Sequence, residues 1–335
     1  MPDITLLLIV VIAAALAFDY INGFHDTANA IATVVSTRVL SPTAAIIMAA
    51  SLNFMGALVA THVAKTIAKG IVVLDAATET LVLAAIIGAI VWNLVTWVYG
   101  IPSSSSHALV GGLIGAALAK GGTAIVQWGS LMEKVVYPLV GSPVAGFVIA
   151  FFLMKAIARF FRHSNPGRIG NVFRRLQLLS AASMAFSHGM NDAQKAMGII
   201  TLALIAHNVL PADADVPVWV IFAAASAMAA GTAAGGWRIM RTMGQKIIRL
   251  EPVHGFVAET AGAAVITTAS VFGMPISTTH AITSSIFGVG TSKRLSAVRW
   301  GVAKKVVAAW VITIPAAAAV SAVSYWLLSF VWPDV

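Results

Sequence analysis

Long apolar stretches alternate with short polar segments along the whole chain. Roughly ten of these stretches approach the ~20 residues that a helix needs to cross a bilayer. We predict them near residues 4–35, 42–66, 80–99, 103–119, 135–160, 176–205, 217–237, 253–272, 277–290 and 304–331. The pattern predicts an all-α integral membrane protein whose first apolar stretch is retained as a span.

The composition excludes several other classes of protein. Of the 335 residues, 59% are hydrophobic and 10% are charged, whereas a soluble domain has roughly 25% charged residues. A mean hydropathy of +0.91 also excludes a disordered chain. The net charge of +9 does not predict a nucleic-acid partner, because lysine and arginine collect in the cytoplasmic loops of membrane proteins. With no cysteine, disulfides, thiolate metal sites and cysteine nucleophiles are excluded.

Two sequence motifs occur twice, in the same order. Residues 22–30 resemble residues 188–196, and residues 100–108 resemble residues 273–281. A repeated pair of motifs indicates an internal duplication. The second motif begins with Gly-x-Pro and is followed by a short apolar stretch in both copies, which is typical of discontinuous helices around a transport site.

The basic residues indicate how the two copies are oriented. If segments 80–119 and 253–290 are re-entrant hairpins, each half crosses the membrane three times and the second half is inverted. This topology puts sixteen basic residues on one face and four on the other, a strong signal that the first face is cytoplasmic. If all ten stretches crossed fully, the halves would instead be parallel.

We therefore expect two inverted-topology repeats, each with three or more transmembrane helices and a re-entrant helical hairpin. The first repeat covers residues 1–160 and the second covers residues 176–335. The basic linker 161–175 is expected in the cytoplasm. The chain would lie in the inner (cell) membrane with both termini outside.

Few carboxylates fall inside the predicted spans, and two of them are duplicated. Asp26 and Asp192 take the same place in the two copies. A charge at the bilayer centre costs about 2.5–3.5 kcal/mol, so it normally has a partner and faces a cavity. The pair could form a polar clamp between helices, but the oxygen-rich neighbours favour cation coordination or proton exchange. Those neighbours are Asn22, Asn29, Asn191 and Gln194, while Lys195 could pair with Asp192 or lie near an anion.

Runs of hydroxyl residues follow the two Gly-x-Pro breaks. They comprise Ser104, Ser105 and Ser106 in the first copy and Ser277, Thr278 and Thr279 in the second. Hydroxyls after a proline are start signals for a helix, and a helix N-terminus attracts anions. Two such ends would suit a tetrahedral oxyanion, although the hydroxyls could simply cap broken helices. His107 and His280 follow the runs and could contact the anion, relay protons or pack in the core.

The same residues resemble the PiT family of inorganic phosphate transporters. The resemblance rests on residues 18–33 and 186–195 and on both Pro-Ser/Thr-His segments, and it extends over about residues 18–290. It implies inverted repeats, re-entrant hairpins and phosphate held by the two hydroxyl runs. It also implies a neighbouring cation region at Asp26, Asn29, Asp192 and Gln194.

The resemblance implies phosphate symport with protons or sodium by alternating access, with no resident cofactor and no enzymatic activity. Sodium would bind at Asp26, Asn29 and Asp192. Eukaryotic members carry an acid where this chain has Asn53, a departure that favours protons. The expected partners are phosphate and membrane lipid, with a homodimer left open.

Three alternatives to phosphate symport remain at this point. The same scaffold could carry sulfate or a metal–phosphate complex, because hydroxyl and N–H donors do not separate tetrahedral oxyanions. An intramembrane serine hydrolase would use Ser104 or Ser106 with a histidine, but no Gly-x-Ser-x-Gly motif is present. A passive channel would show flux that is independent of ion gradients.

Overall fold

The computed structural model describes residues 5–333, and within them the chain is almost entirely helical. The helices are α1 (Leu6–Ser36), α2 (Pro42–Ala57), α3 (His62–Lys69), α4 (Glu79–Tyr99), α5 (Ser105–Gly121), α6 (Trp128–Phe160), α7 (Pro166–Ala206), α8 (Val218–Ala234), α9 (Trp237–Lys246), α10 (Pro252–Val271), α11 (Thr278–Lys293) and α12 (Trp300–Val331). The predicted start of the first span at Ile4 and both chain ends lie outside the described residues.

Several of these helices are long and apolar enough to cross a membrane. Helices α1, α4, α6 and α12 qualify by themselves in the described part of the chain, and α5 qualifies with the 3-10 turn that extends it to Ile125. The pairs α2–α3 and α8–α9 qualify as two further bent spans. The protein is therefore a multi-pass membrane protein. The prediction of an all-helical membrane fold is confirmed.

Two of the predicted spans are each broken into two helices, so the prediction of a continuous helix there was wrong. The stretch predicted at 42–66 is bent by 68° between α2 and α3, and the stretch at 217–237 is bent by 58° between α8 and α9. Gly235 allows the second bend because its φ of +78° lies in the left-handed region. At the first bend the Ala64 N–H, which lacks a helical partner, donates to Gln194 Oε1 at 3.1 Å.

The basic linker is shorter than predicted. We expected a loop over 161–175, but α7 begins at Pro166. Asn165 causes the early start, because its side chain accepts a hydrogen bond from the Gly167 N–H at 2.9 Å and proline is favoured at the first helical position. Arg168, Arg174 and Arg175 therefore lie exposed on the first turns of a helix, and Arg174 donates to the Arg38 carbonyl.

Helices α5 and α11 are built alike from the duplicated second motif. Gly100 and Gly273 end the preceding helices with φ of +63° and +69°, a conformation that favours glycine. Ser104 then accepts a hydrogen bond from the His107 N–H at 3.1 Å, and Ser277 accepts one from the His280 N–H at 3.1 Å. The predicted helix starts are confirmed at both places.

Each of these short helices packs against a long helix of the opposite half. Helix α5 lies on α12, and α11 lies on α6. The contacts are close because glycines face backbone carbonyls: a Cβ added to Gly115 would lie 2.1 Å from the Ala318 oxygen, and one added to Gly288 would lie 2.3 Å from the Phe147 oxygen. Small residues that let helices approach closely are typical of membrane proteins.

The Gly115→Val substitution is expected to destabilise the protein strongly. The valine would force α5 away from α12, and overpacking of this kind costs about 1–3 kcal/mol or more. The thermal unfolding temperature in detergent measures the effect. Gly141→Val is the matched control, because a Cβ at Gly141 meets nothing within 4 Å. Equal unfolding temperatures for the two variants would contradict this account of the packing.

Candidate functional site

The two duplicated aspartates lie together in the interior of the protein. Asp26 lies on α1, Asp192 lies on α7, and both are buried. One ligand atom from each of Asp26, His188 and Asp192 falls within 4.8 Å of the others. The aspartates therefore face a shared polar interior and not the lipid.

The N-terminal ends of α5 and α11 meet beside these aspartates. Ser106 Oγ donates to the carbonyl oxygen of Ile276 at 2.7 Å, so that the first hydroxyl run contacts the backbone before the second helix. The rings of His107 and His280 lie 4.5 Å apart, centroid to centroid. The free N–H groups and partial positive charges of two helix ends are thus concentrated in one place.

Hydroxyls from both helix ends reach the two carboxylates. Ser105 Oγ donates to Asp26 Oδ2 at 3.2 Å, and Thr279 Oγ1 donates to Asp26 Oδ1 at 3.3 Å. Thr278 Oγ1 donates to Asp192 Oδ2 at 3.3 Å. The structure brings together these predicted hydroxyl and aspartate residues, which are far apart in sequence.

Asn29 connects the aspartate motif of the first copy to the hydroxyl run of the second. Its Nδ2 donates to Thr279 Oγ1 at 2.9 Å and to Thr278 Oγ1 at 3.3 Å. The amide oxygen of Asn29 has no hydrogen-bond partner among the described residues, so it stays available as a ligand.

Three members of the hydroxyl runs already have structural bonds. Ser104 and Ser277 cap their own helices through the hydroxyl oxygen, and Ser106 donates its proton to Ile276. The alternative that the hydroxyls simply cap broken helices thus holds for Ser104 and Ser277. Each of these caps uses the hydroxyl oxygen, so its O–H can still donate. Ser105, Thr278 and Thr279 instead point their hydroxyls at carboxylates.

A histidine lies against each aspartate. His25 Nδ1 is 2.7 Å from Asp26 Oδ1, and His188 Nε2 is 3.4 Å from Asp192 Oδ2. Thr96 Oγ1 contacts the other nitrogen of His25 at 3.0 Å, and Asn53 Oδ1 contacts the other nitrogen of His188 at 3.2 Å. The sequence predicted no role for Thr96, because it belongs to neither motif.

The remaining predicted amides have mixed positions. Gln194 is held by the backbone, donating to the Met190 carbonyl and accepting from Ala64, so its contacts support the bend at α3. Asn191 Nδ2 donates to Ser270 Oγ at 2.8 Å, and Asn22 Nδ2 lies 3.9 Å from the Met228 sulfur. Neither amide contacts an aspartate through these bonds.

Several buried oxygens of this region have no hydrogen-bond partner among the described residues. They are both oxygens of Asp19 and one oxygen each of Asn22, Asn29, Asn191 and Asp192. Buried polar atoms are nearly always bonded, so this concentration requires an explanation. Carboxylate and amide oxygens are the ligands that hard cations prefer, and the arrangement fits a cation cargo.

His107 and His280 combine a packing role with a position at the helix ends. The His280 ring stacks on Trp310 with 3.9 Å between centroids, and both imidazoles are buried. The expectation that these histidines pack in the core therefore holds for the faces of their rings. Their unbonded nitrogens, Nδ1 of His107 and Nε2 of His280, lack partners among the described residues.

Glu259, on α10, is the centre of a second buried polar cluster, which lies against the C-terminal part of α1. It accepts hydrogen bonds from Thr33, Gln177 and Ser180. Because three donors satisfy this carboxyl group, it connects α1, α7 and α10 as a structural element. The unsatisfied aspartate region differs from it in this respect.

Comparison with known proteins agrees with this geometry. Residues 22–321 match the phosphate transporter family. The chain belongs to that family. It is 49% identical to a probable low-affinity inorganic phosphate transporter of Bacillus subtilis (strain 168), covering 98% of this chain and all of the relative. A relative of the same description from Rhizobium meliloti (strain 1021) is also 49% identical, with 97% of each chain covered.

A solved structure is similar over the same extent. It is described as the sodium-dependent phosphate transporter, and it matches with a TM-score of 0.91 and 28% identity over 98% of this chain and all of that one. The expected family and the all-helical membrane fold are confirmed, and the family consists of transporters and not of enzymes. The hydrolase alternative fails for this reason, and Ser106 donates to a backbone carbonyl instead of a histidine.

The Ser277→Ala substitution is expected to destabilise the start of α11. Loss of an N-cap side chain costs about 0.5–2 kcal/mol, whereas asparagine at the same position retains the cap. The thermal unfolding temperature in detergent should fall for Ser277→Ala and recover in Ser277→Asn. Ser226→Ala is the control, since this exposed serine bonds only a carbonyl of its own helix. A fall equal to that of the control would show that the cap contributes nothing.

Proposed function

We propose that this chain takes up inorganic phosphate by symport with a cation, proton or sodium, through alternating access. One observation carries the proposal: the N-terminal ends of α5 and α11 meet against Asp26 and Asp192 in the interior. Anion donors and acidic groups thus share one site. The family and the similar structure support phosphate uptake as the activity.

Phosphate binds at the two helix ends in this proposal. Each end supplies free N–H groups and about half a positive charge. Hydroxyls of Ser104, Ser105 and Ser106 and of Ser277, Thr278 and Thr279 supply further donors, with Ser106 first releasing the Ile276 carbonyl. Ser105, Thr278 and Thr279 would turn from the carboxylates to the anion when it arrives. His107 and His280 lie close enough to these ends to act as accessory groups.

The coupled cation makes the anion site usable. An anion placed beside two ionised aspartates is repelled, and each negative charge moved inward costs about 2.3 kcal/mol per 100 mV of membrane potential. A proton or sodium ion held by Asp26, Asn29 and Asp192 cancels the repulsion and repays the electrical cost. Asn22, Asn191 and Gln194 belong to the same two motifs and are assigned to the outer part of this cation region. The relative described as sodium-dependent supports ion coupling without deciding which ion this chain uses.

Two inverted repeats provide the moving parts of the mechanism. The helix contacts support this division because they recur with the halves exchanged: α1 packs on α8 as α2 packs on α7, and α4 packs on α12 as α10 packs on α6. The repeats would cover residues 1–160 and 176–335. We place the basic segment 161–175 in the cytoplasm and both termini outside, since basic residues mark the cytoplasmic face.

Neutralising the second aspartate is expected to abolish coupled uptake. Asp192→Asn removes a carboxylate that holds the cation, so radioactive phosphate should no longer accumulate in proteoliposomes above its equilibrium level. Asp215→Asn is the matched control, because Asp215 is exposed and pairs with Lys65. Normal accumulation by Asp192→Asn would refute the role of this residue.

The driving ion and the cargo are measured in the same system. The sodium gradient and the proton gradient are imposed one at a time. We expect phosphate to accumulate under at least one of them and not to accumulate when both are collapsed. Flux that ignores both gradients would instead indicate a channel. Excess sulfate should compete poorly, and strong competition would extend the cargo to tetrahedral oxyanions in general.

A further inference from the structure

The two copies of the aspartate motif differ in the residue that follows the aspartate by three positions. Three residues after Asp26 the first copy has Asn29, and three residues after Asp192 the second copy has Lys195. An i,i+3 spacing puts both side chains of each pair on one helix face. The first copy therefore presents a carboxylate and an amide oxygen, and the second presents a carboxylate and an ammonium group.

Lys195 is fully enclosed in the protein interior. Its side chain is 1% exposed, and Nζ lies 2.9 Å from Asp192 Oδ2. The ammonium has no further hydrogen-bond partner among the described residues. A lysine is almost never fully buried without a charged partner, so Asp192 and Lys195 form an internal ion pair.

The first copy has no lysine at the matching position, and a histidine, His25, lies against its carboxylate instead. Asn29 donates its N–H groups to Thr278 and Thr279 and leaves Oδ1 without a partner. His25 and Thr279 contact Asp26 Oδ1, and Ser105 contacts Oδ2. The Asn29 amide oxygen is thus the unpartnered ligand beside a hydroxyl-bonded carboxylate in the first copy, whereas an ammonium nitrogen already lies beside the carboxylate in the second.

Asp19 adds a third buried carboxyl group to this region. It lies two turns before Asp26 on α1, is fully buried, and has no hydrogen-bond partner for either oxygen among the described residues. Asp19 thus leaves two further unpartnered oxygens on α1.

We propose that Lys195 is a tethered cation that fills the second of two duplicated cation positions, leaving one exchangeable position at Asp26 and Asn29. The inference rests on the proposed function, because it specifies how many cations the same site exchanges. The lysine moves with α7 and is never released. One fewer cation would therefore accompany each phosphate than in a transporter with an oxygen ligand at this position.

The competing role for Lys195 is direct contact with the anion. In that role its removal would weaken phosphate binding and create no cation site. In the tethered-cation role its replacement by asparagine gives the second copy the carboxylate and amide pair that Asp26 and Asn29 form in the first. The two roles are therefore separated by counting bound ions.

The test measures binding of radioactive ²²Na⁺ to the purified protein at saturation. We expect wild type to bind at most one sodium ion per chain and Lys195→Asn to bind one more. Lys195→Gln, which keeps most of the side-chain length, is a second variant in case the first aggregates. The extra ion should disappear in the double variant Lys195→Asn with Asp192→Asn. Lys65→Asn, an exposed lysine paired with Asp215, should bind as wild type does.

Three results would overturn the proposal. They are two sodium ions bound by wild type, an unchanged count in a monodisperse Lys195 variant, or an extra ion that persists without the Asp192 carboxylate. A Lys195 variant with weakened phosphate binding and an unchanged sodium count would assign the lysine to the anion. Failure of the proposed function is seen separately, as a wild type that does not accumulate phosphate in proteoliposomes.

Discussion

The opposition of positive helix ends and buried carboxylates is the constraint on which this structure depends. The N-terminal ends of α5 and α11 meet in the interior, where their hydroxyls donate to Asp26 and Asp192. Each group by itself is unstable in a low-dielectric interior, because unbonded N–H groups and unpaired carboxylates both cost free energy there. The hydrogen bonds between the two groups offset part of that cost. In the proposed mechanism, a cation that binds the carboxylates frees the hydroxyls for the anion. An anion that binds the hydroxyls likewise frees the carboxylates for the cation.

The sequence was sufficient to predict most of this site because the duplication marks it. Asp26 and Asp192, and likewise the two hydroxyl runs, were identified as matched residues in apolar surroundings, and the structure brings them together. Helix ends after Gly-x-Pro follow from local chemistry, so α5 and α11 begin close to where they were expected. Local signals of this kind do not depend on the rest of the fold.

Features that depend on distant contacts were not predictable from the sequence. The bend between α2 and α3 is supported by Gln194, which lies on α7, so the apolar pattern at 42–66 could not reveal it. Thr96 orients His25 only because α4 crosses α1. Which serine caps its helix was likewise not predictable, since the serines of a run have identical side chains; the structure assigns this role to Ser104 and Ser277.

The exchange of packing partners between the halves has a consequence for biosynthesis. The glycine face of α5 contacts α12, the last helix of the described chain. During translation α5 is therefore made long before α12, and before Ile276, whose carbonyl accepts the Ser106 hydroxyl. The glycine face of α5 lacks its packing partner until α12 has been made. Assembly of this fold is thus completed from its C-terminal end.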